Sequence, residues 1–116
     1  MSVLDATSYY QATATAYAPF PALEDSIEAD VAVVGAGFTG LSAALELRAR
    51  GFTVAVLDQG AIAWGASGRN GGQICTGFSP GLGPLEAALG REAAQTCFDI
   101  SEEAKHLITE RIARYG

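Results

Sequence analysis

The sequence predicts an α/β chain organised around one parallel β-α-β unit. Three observations predict it. An apolar run, Val31-Ala32-Val33-Val34, enters the G-x-G-x-x-G turn Gly35-Ala36-Gly37-Phe38-Thr39-Gly40. A helical run follows the turn. A second apolar run, Phe52 to Leu57, then ends in Asp58. Glycines cluster in many loops, so the turn alone is weak. Strand, turn, helix, strand and acid in register supply the context that a dinucleotide fingerprint requires. Without a ligand, the same residues would be a glycine-rich turn with Asp58 as a loop acid.

Each position has a physical task. Gly35 makes the tight turn off the strand, and Gly37 lets backbone approach a pyrophosphate. Gly40 lets the helix pack closely. The helix start, with Phe38 and Thr39, aims unpaired amides and a positive dipole end at phosphates. Asp58 lies 23 positions after Gly35, near the spacing of about 20 for the acid that holds a ribose diol. A carboxylate there disfavours a 2′-phosphate.

The elements follow in order. Residues 1–29 form a leader. Thr7 to Ala18 is rich in Ala, Thr and Tyr, and Pro19-Phe20-Pro21 follows, so the leader is expected to be extended. Tyr9 and Tyr10 either dock on a surface or belong to a mobile segment. Glu24, Asp25, Glu28 and Asp30 are expected to be solvated. Val31 to Val34 reads as a strand covered on both faces. Thr39 to Arg50 reads as a helix with Leu41, Ala44 and Leu45 in one stripe and Leu47 beside it. Arg48 and Arg50 suit its C-terminal end, and Gly51 follows as the C′ residue. Phe52 to Leu57 is a second strand, parallel to the first through a right-handed crossover.

A second glycine-dense loop runs from Gly60 to Gln73 and carries Trp64, Ser67, Arg69, Asn70, Gly71 and Gly72. Ser67 can donate to a phosphate oxygen, and Arg69 offers a planar fork of donors. An NAD unit does not need this loop. A longer ligand, with a pyrophosphate in the middle and a ring system beyond it, does. Trp64 either touches the ligand or covers the loop. Thr76 to Pro84 reads as loop, and Leu85 to Leu89 as a short helix stopped at Gly90. Arg91 to Tyr115 reads as a long helix with Ala93, Cys97, Ile100, Ala104, Leu107, Ile108, Ile112 and Tyr115 recurring at helical spacing.

Composition limits the partners. The chain has 116 residues and a formal net charge of −6. No long basic run suggests nucleic acid or an anionic membrane surface. There is no secretory signal pattern and no apolar run long enough for a bilayer. The two cysteines, Cys75 and Cys97, make no disulfide framework and fit a reducing cytoplasm. No Cys/His set has metal-ligand spacing. His106 reads as a surface residue, Cys97 as core and Cys75 as a half-buried thiol.

The two loops together, Val33 to Ala44 and Trp64 to Gln73, resemble the N-terminal FAD-binding part of the D-amino-acid-oxidase-like flavoproteins, the family of glycine oxidase and sarcosine oxidase. Within it, the chain resembles the gamma-glutamylputrescine oxidoreductase branch. Its members are similar in a leader like Ser8-Tyr9-Tyr10 and in a long helix after the second loop. The resemblance implies a Rossmann-like FAD-binding βαβ unit, incomplete relative to the full family fold, over residues 30–116. It implies that Gly35, Gly37 and Gly40, with Phe38 and Thr39, face the FAD pyrophosphate. Asp58 holds the adenosine ribose, and Ser67 and Arg69 lie along the phosphates and ribitol. Asn70, Gly71, Gly72 and Gln73 pass near the flavin ring. It also implies oxidation of the C–N bond of an amine or amino acid, with hydride passing to flavin.

Relatives are several times longer, and no residue here is assigned to substrate binding or to acid–base catalysis. An isolated chain is expected to be a fragment, marginally stable and without turnover. An NAD-binding dehydrogenase unit is the second expectation. A non-enzymatic remnant that joins a companion chain, such as the missing C-terminal half, is the third.

Overall fold

The computed structural model describes residues 7–115. The first six residues of the leader and Gly116 lie outside the described residues. The chain divides into two compact units that part between Gly71 and Gly72.

The first unit holds helix α1 (Tyr9–Thr13), strand β1 (Val31–Val34), helix α2 (Phe38–Ala49) and strand β2 (Val54–Leu57), followed by a 3-10 turn at Ala66–Gly68. The expectation of an extended leader misses α1. Ser8 caps it: its hydroxyl accepts from the Gln11 amide, while the Gln11 side chain accepts from the Ser8 amide. That reciprocal pair is a capping box, and its Ser-x-x-Gln signature was present in the sequence. Residues 14 to 30 form no further helix or strand.

β1 and β2 pair in parallel, with Val31 opposite Val54 and Val34 opposite Leu57. α2 connects them and packs on both. Leu41, Ala44 and Leu47 are its covered apolar side chains, beside Gly40 and Ser42, whereas Leu45 is exposed. The apolar stripe therefore leans one position from the expected one. The helix ends in a Schellman motif: the Phe52 amide donates to the Leu47 carbonyl and the Gly51 amide to the Arg48 carbonyl, with Gly51 at φ 94°. This is why β2 starts later than expected. Phe52 belongs to the helix stop; Thr53 gives its carbonyl to the Val31 amide at 3.2 Å, at the edge of the ladder, and its amide and hydroxyl to a clamp. In that clamp the Thr53 amide and hydroxyl both donate to the Asp30 carboxylate, at 2.8 and 2.6 Å. Asp30 was expected to be merely solvated. The Thr53 hydroxyl and then its amide hold its carboxyl below the usual range.

The strands are not covered on both faces. Ala32 and Val34 are exposed, Val34 at 86%. One helix on a two-stranded sheet leaves the other face open. Among the described residues, the buried apolar side chains are all alanines: Ala36 and Ala44 in this unit, and Ala94 in the other.

The second unit pairs helix α3 (Leu82–Leu89) with helix α4 (Arg91–Tyr115). α3 starts three residues earlier than expected. Pro84 falls in its first turn, where a missing amide costs no helical hydrogen bond. α4 has the expected bounds but not the expected covered face. Ala94, Cys97, Ser101, Glu102 and Lys105 are covered, while Ile100, Leu107, Ile108 and Ile112 are exposed. The loop before α3 reaches the covered face through polar bonds. The Gly77 amide donates to the Ser101 hydroxyl at 3.1 Å, and the Thr76 hydroxyl donates to the Glu102 carboxylate. Thr76 first, and then Lys105, hold the Glu102 carboxyl below its usual range.

Candidate functional site

The glycine turn and the second loop meet at the C-terminal ends of the two strands. The Gly35 amide closes the ladder by donating to the Leu57 carbonyl at 2.7 Å. Gly35 sits at φ 101°, a conformation that a side chain would strain. The chain then reverses into α2. A Cβ at Gly40 would collide with the Gly35 carbonyl and lie 3.3 Å from Val33 Cγ1. The glycine lets the first helical turn sit directly on the strand–turn junction.

Three long-range hydrogen bonds join the two loops. The Ala36 amide donates to Asp58 Oδ2 at 2.7 Å. The Ala63 amide donates to the Ala36 carbonyl at 3.0 Å. The Phe38 amide, the first of α2, donates to the Ser67 hydroxyl at 3.0 Å. A Cβ at Gly37 would lie 2.8 Å from that hydroxyl oxygen, so the glycine admits Ser67 to the helix start. Thr39 and Gly40 carry the next amides, which a helix leaves without internal partners.

These residues surround an open cleft of about 540 Å³ lined by Val34, Gly35, Gly37, Asp58, Trp64 and Ser67, with neighbouring loop backbone. Asp58 stands at the centre of a donor set. Oδ2 takes the Ala36 amide, and Oδ1 takes the Gly60 amide and the Trp64 indole N–H, both at 2.9 Å. The Ala36 amide first, then the Gly60 amide and the Trp64 indole N–H, hold its carboxyl below the usual range.

Of the residues expected at a site, Gly35, Gly37, Asp58 and Ser67 line the cleft. Gly40 lies behind it, against the turn. Phe38 is exposed at its edge and contributes its amide. Arg69 does not line it; its Nε donates to the Trp64 carbonyl at 3.0 Å. The Asn70 side-chain amide donates to the Ser67 carbonyl at 2.7 Å. Both residues shape the loop. Asn70 and Gly71 end the first unit, while Gly72 and Gln73 belong to the second. Trp64 is the residue that sequence reasoning left open: it lines the cleft and bonds Asp58. Ala63, at φ 55°, was missed. The surrounding glycines were the only signal of a contorted loop.

A parallel β-α-β unit with a glycine turn and an acid at the second strand end is the arrangement that dinucleotide-binding folds use around a pyrophosphate. The chain belongs to the FAD dependent oxidoreductase (DAO) family, whose model matches residues 30–116. It is 47% identical over 109 residues to gamma-glutamylputrescine oxidoreductase of Escherichia coli (strain K12), covering 94% of this chain and 26% of that protein. It is 43% identical to the probable oxidoreductase OrdL of Haemophilus influenzae, over 94% of this chain and 25% of that protein. It is 45% identical to the probable oxidoreductase OrdL of Rhizobium meliloti, over 87% of this chain and 24% of that protein. The chain thus spans about a quarter of the length of these relatives. No solved structure matches it significantly. Among the described residues, no helix is long and apolar enough to cross a membrane.

Proposed function

We propose that the cleft receives the adenosine diphosphate half of FAD. Residues 30–116 would then be the N-terminal portion of a Rossmann-like FAD-binding domain, preceded by the leader 1–29. The observation that carries this reading is the Ser67 hydroxyl held at the first amide of α2. It brings the second loop to the helix end that attracts a diphosphate. The donor chemistry fits the group. Gly35 and Gly37 leave the mouth free of side chains, and the amides of Thr39 and Gly40 supply donors for phosphate oxygens. Ser67 extends this line, and Arg69 braces the loop that carries it by donating to the Trp64 carbonyl. Asp58 accepts from the ribose diol. Asn70 and Gly71, at the end of the first unit, continue toward the flavin ring.

FAD, when bound, supplies the two-electron acceptor for oxidation of a C–N bond in an amine or amino acid. The relative named gamma-glutamylputrescine oxidoreductase supports a γ-glutamylated polyamine as substrate. The residues of this chain bind and orient; none is assigned to proton transfer. The isolated chain would therefore bind cofactor but not turn over substrate, and a polypeptide carrying the rest of the fold would complete it. The free thiols of Cys75 and Cys97 fit a cytoplasmic setting.

The test is an FAD titration followed by flavin fluorescence and by emission of Trp64, the single tryptophan of the chain. Saturable binding that is lost in Gly37→Val supports the reading. Binding of NAD without FAD, or of neither by a folded chain, overturns it.

A further inference from the structure

The Asp58 carboxylate is already engaged. A carboxylate offers about four acceptor positions. Three donors hold it within hydrogen-bond distance, the amides of Ala36 and Gly60 and the indole N–H of Trp64, and the Gln59 amide adds a weaker contact. A ribose vicinal diol donates two hydrogen bonds and needs two positions. About one is open, so one donor must leave.

The donors differ in freedom. The Ala36 amide shares a peptide plane with the Gly35 carbonyl, on which Gly40 packs. Its other side is held by the Ala63 amide on the Ala36 carbonyl. The Gly60 amide lies two residues from Asp58 in a tight turn. Trp64 alone presents its donor on a rotatable side chain. Its indole also depends on Gly60, where a Cβ would lie 2.6 Å from Cδ1 and Nε1 of the ring.

We propose that Trp64 is an affinity-lowering latch on the nucleotide end of the cleft: its indole N–H occupies the Asp58 acceptor that a ribose diol takes, and only a ligand carrying the vicinal diol displaces it. This inference rests on the proposed FAD site. The diol replaces one charge-assisted hydrogen bond by two, so release of Trp64 is driven by the ligand. A 2′-deoxy ligand supplies one donor, uses the open position and leaves the indole in place. The cost of unlatching falls on the diol ligand alone, so the latch lowers its affinity and loss of the indole donor raises the preference for the diol.

The test combines affinity with NMR on the full chain. Trp64→Phe keeps an aromatic wall and removes the donor. It is expected to tighten FAD binding by about three- to tenfold, the worth of an ordinary hydrogen bond no longer broken. Gly60→Ala keeps Trp64 but crowds the ring off Asp58, and should tighten binding in the same direction. In the unaltered chain, the single indole N–H resonance is expected to shift toward its solvent-exposed position on saturation with AMP. It should stay in place on saturation with 2′-deoxy-AMP. Equal or weaker FAD binding in both variants, or an indole resonance indifferent to the diol, overturns the latch while leaving the FAD site intact. A folded chain that binds neither FAD nor AMP, with or without Trp64, overturns the FAD reading and the latch together.

Discussion

Gly40→Ala offers the sharpest test of how the glycine turn is built. In an open helix this change stabilises, because alanine exceeds glycine in helix propensity by about 1 kcal/mol. Here the new methyl would enter the Gly35 carbonyl. The carbonyl cannot easily turn away. Its peptide carries the Ala36 amide, which donates to Asp58 at 2.7 Å. The Gly35 amide on its other side is bonded to Leu57 at 2.7 Å. Relief of the clash therefore breaks the junction between the two loops. Overpacking against fixed structure costs about 3 kcal/mol at the upper end of its usual range. Subtracting the propensity gain leaves a net loss of about 2 kcal/mol. For a small unit that lowers the melting midpoint by about 10 °C. The assay is a thermal melt followed by Trp64 emission, in sucrose to favour the compact state. Gly83→Ala is the control. Gly83 lies in the first turn of α3 with nothing within 4 Å of its Cβ position, so helical circular dichroism should show a gain of about 0.5–1 kcal/mol. A raised midpoint in Gly40→Ala would refute the close-packed turn.

Three further outcomes are expected. Gly37→Ala should displace the Ser67 hydroxyl and weaken FAD binding, and the same change in a Ser67→Ala background should cost less, leaving only the methyl's intrusion on the phosphate approach. A double-mutant cycle on FAD affinity reads this coupling, and strict additivity would contradict it. Asp58 has its native pKa lowered from 3.8, so its contribution to stability is fully present above about pH 4 and is lost as pH falls through the lower native value. Acid titration of Trp64 emission should show this limb, and Asp58→Asn should flatten it. Thr53→Val removes the hydroxyl that leads in depressing Asp30. The Asp30 carboxyl, followed by carbon NMR, should then titrate nearer its ordinary value.

The local pattern determined the β-α-β unit, the long α4 and the family. These depend on needs that a short stretch states by itself. A positive φ requires Gly35, helical spacing marks α2 and α4, and Gly51 announces a helix stop. Even α1 was legible through Ser8 and Gln11, although the prolines that follow argued for extension. The family resemblance drew on two loops whose motifs are contiguous.

Tertiary structure decided what those motifs touch. Asp58 was readable as an acid at a strand end, but not as the acceptor that ties Ala36, Gly60 and Trp64 together. Asp30 and Thr53 gave no sign of their clamp. The covered face of α4 is set by Thr76 and Gly77 reaching Glu102 and Ser101, not by its apolar stripe. The physical reason is common to all three. Hydroxyls, amides and carboxylates accept many partners, so sequence names the group while spatial neighbours choose the bond. Gly37 shows the same division: its spacing marked a place for close approach, and only the folded chain showed the Ser67 hydroxyl in it.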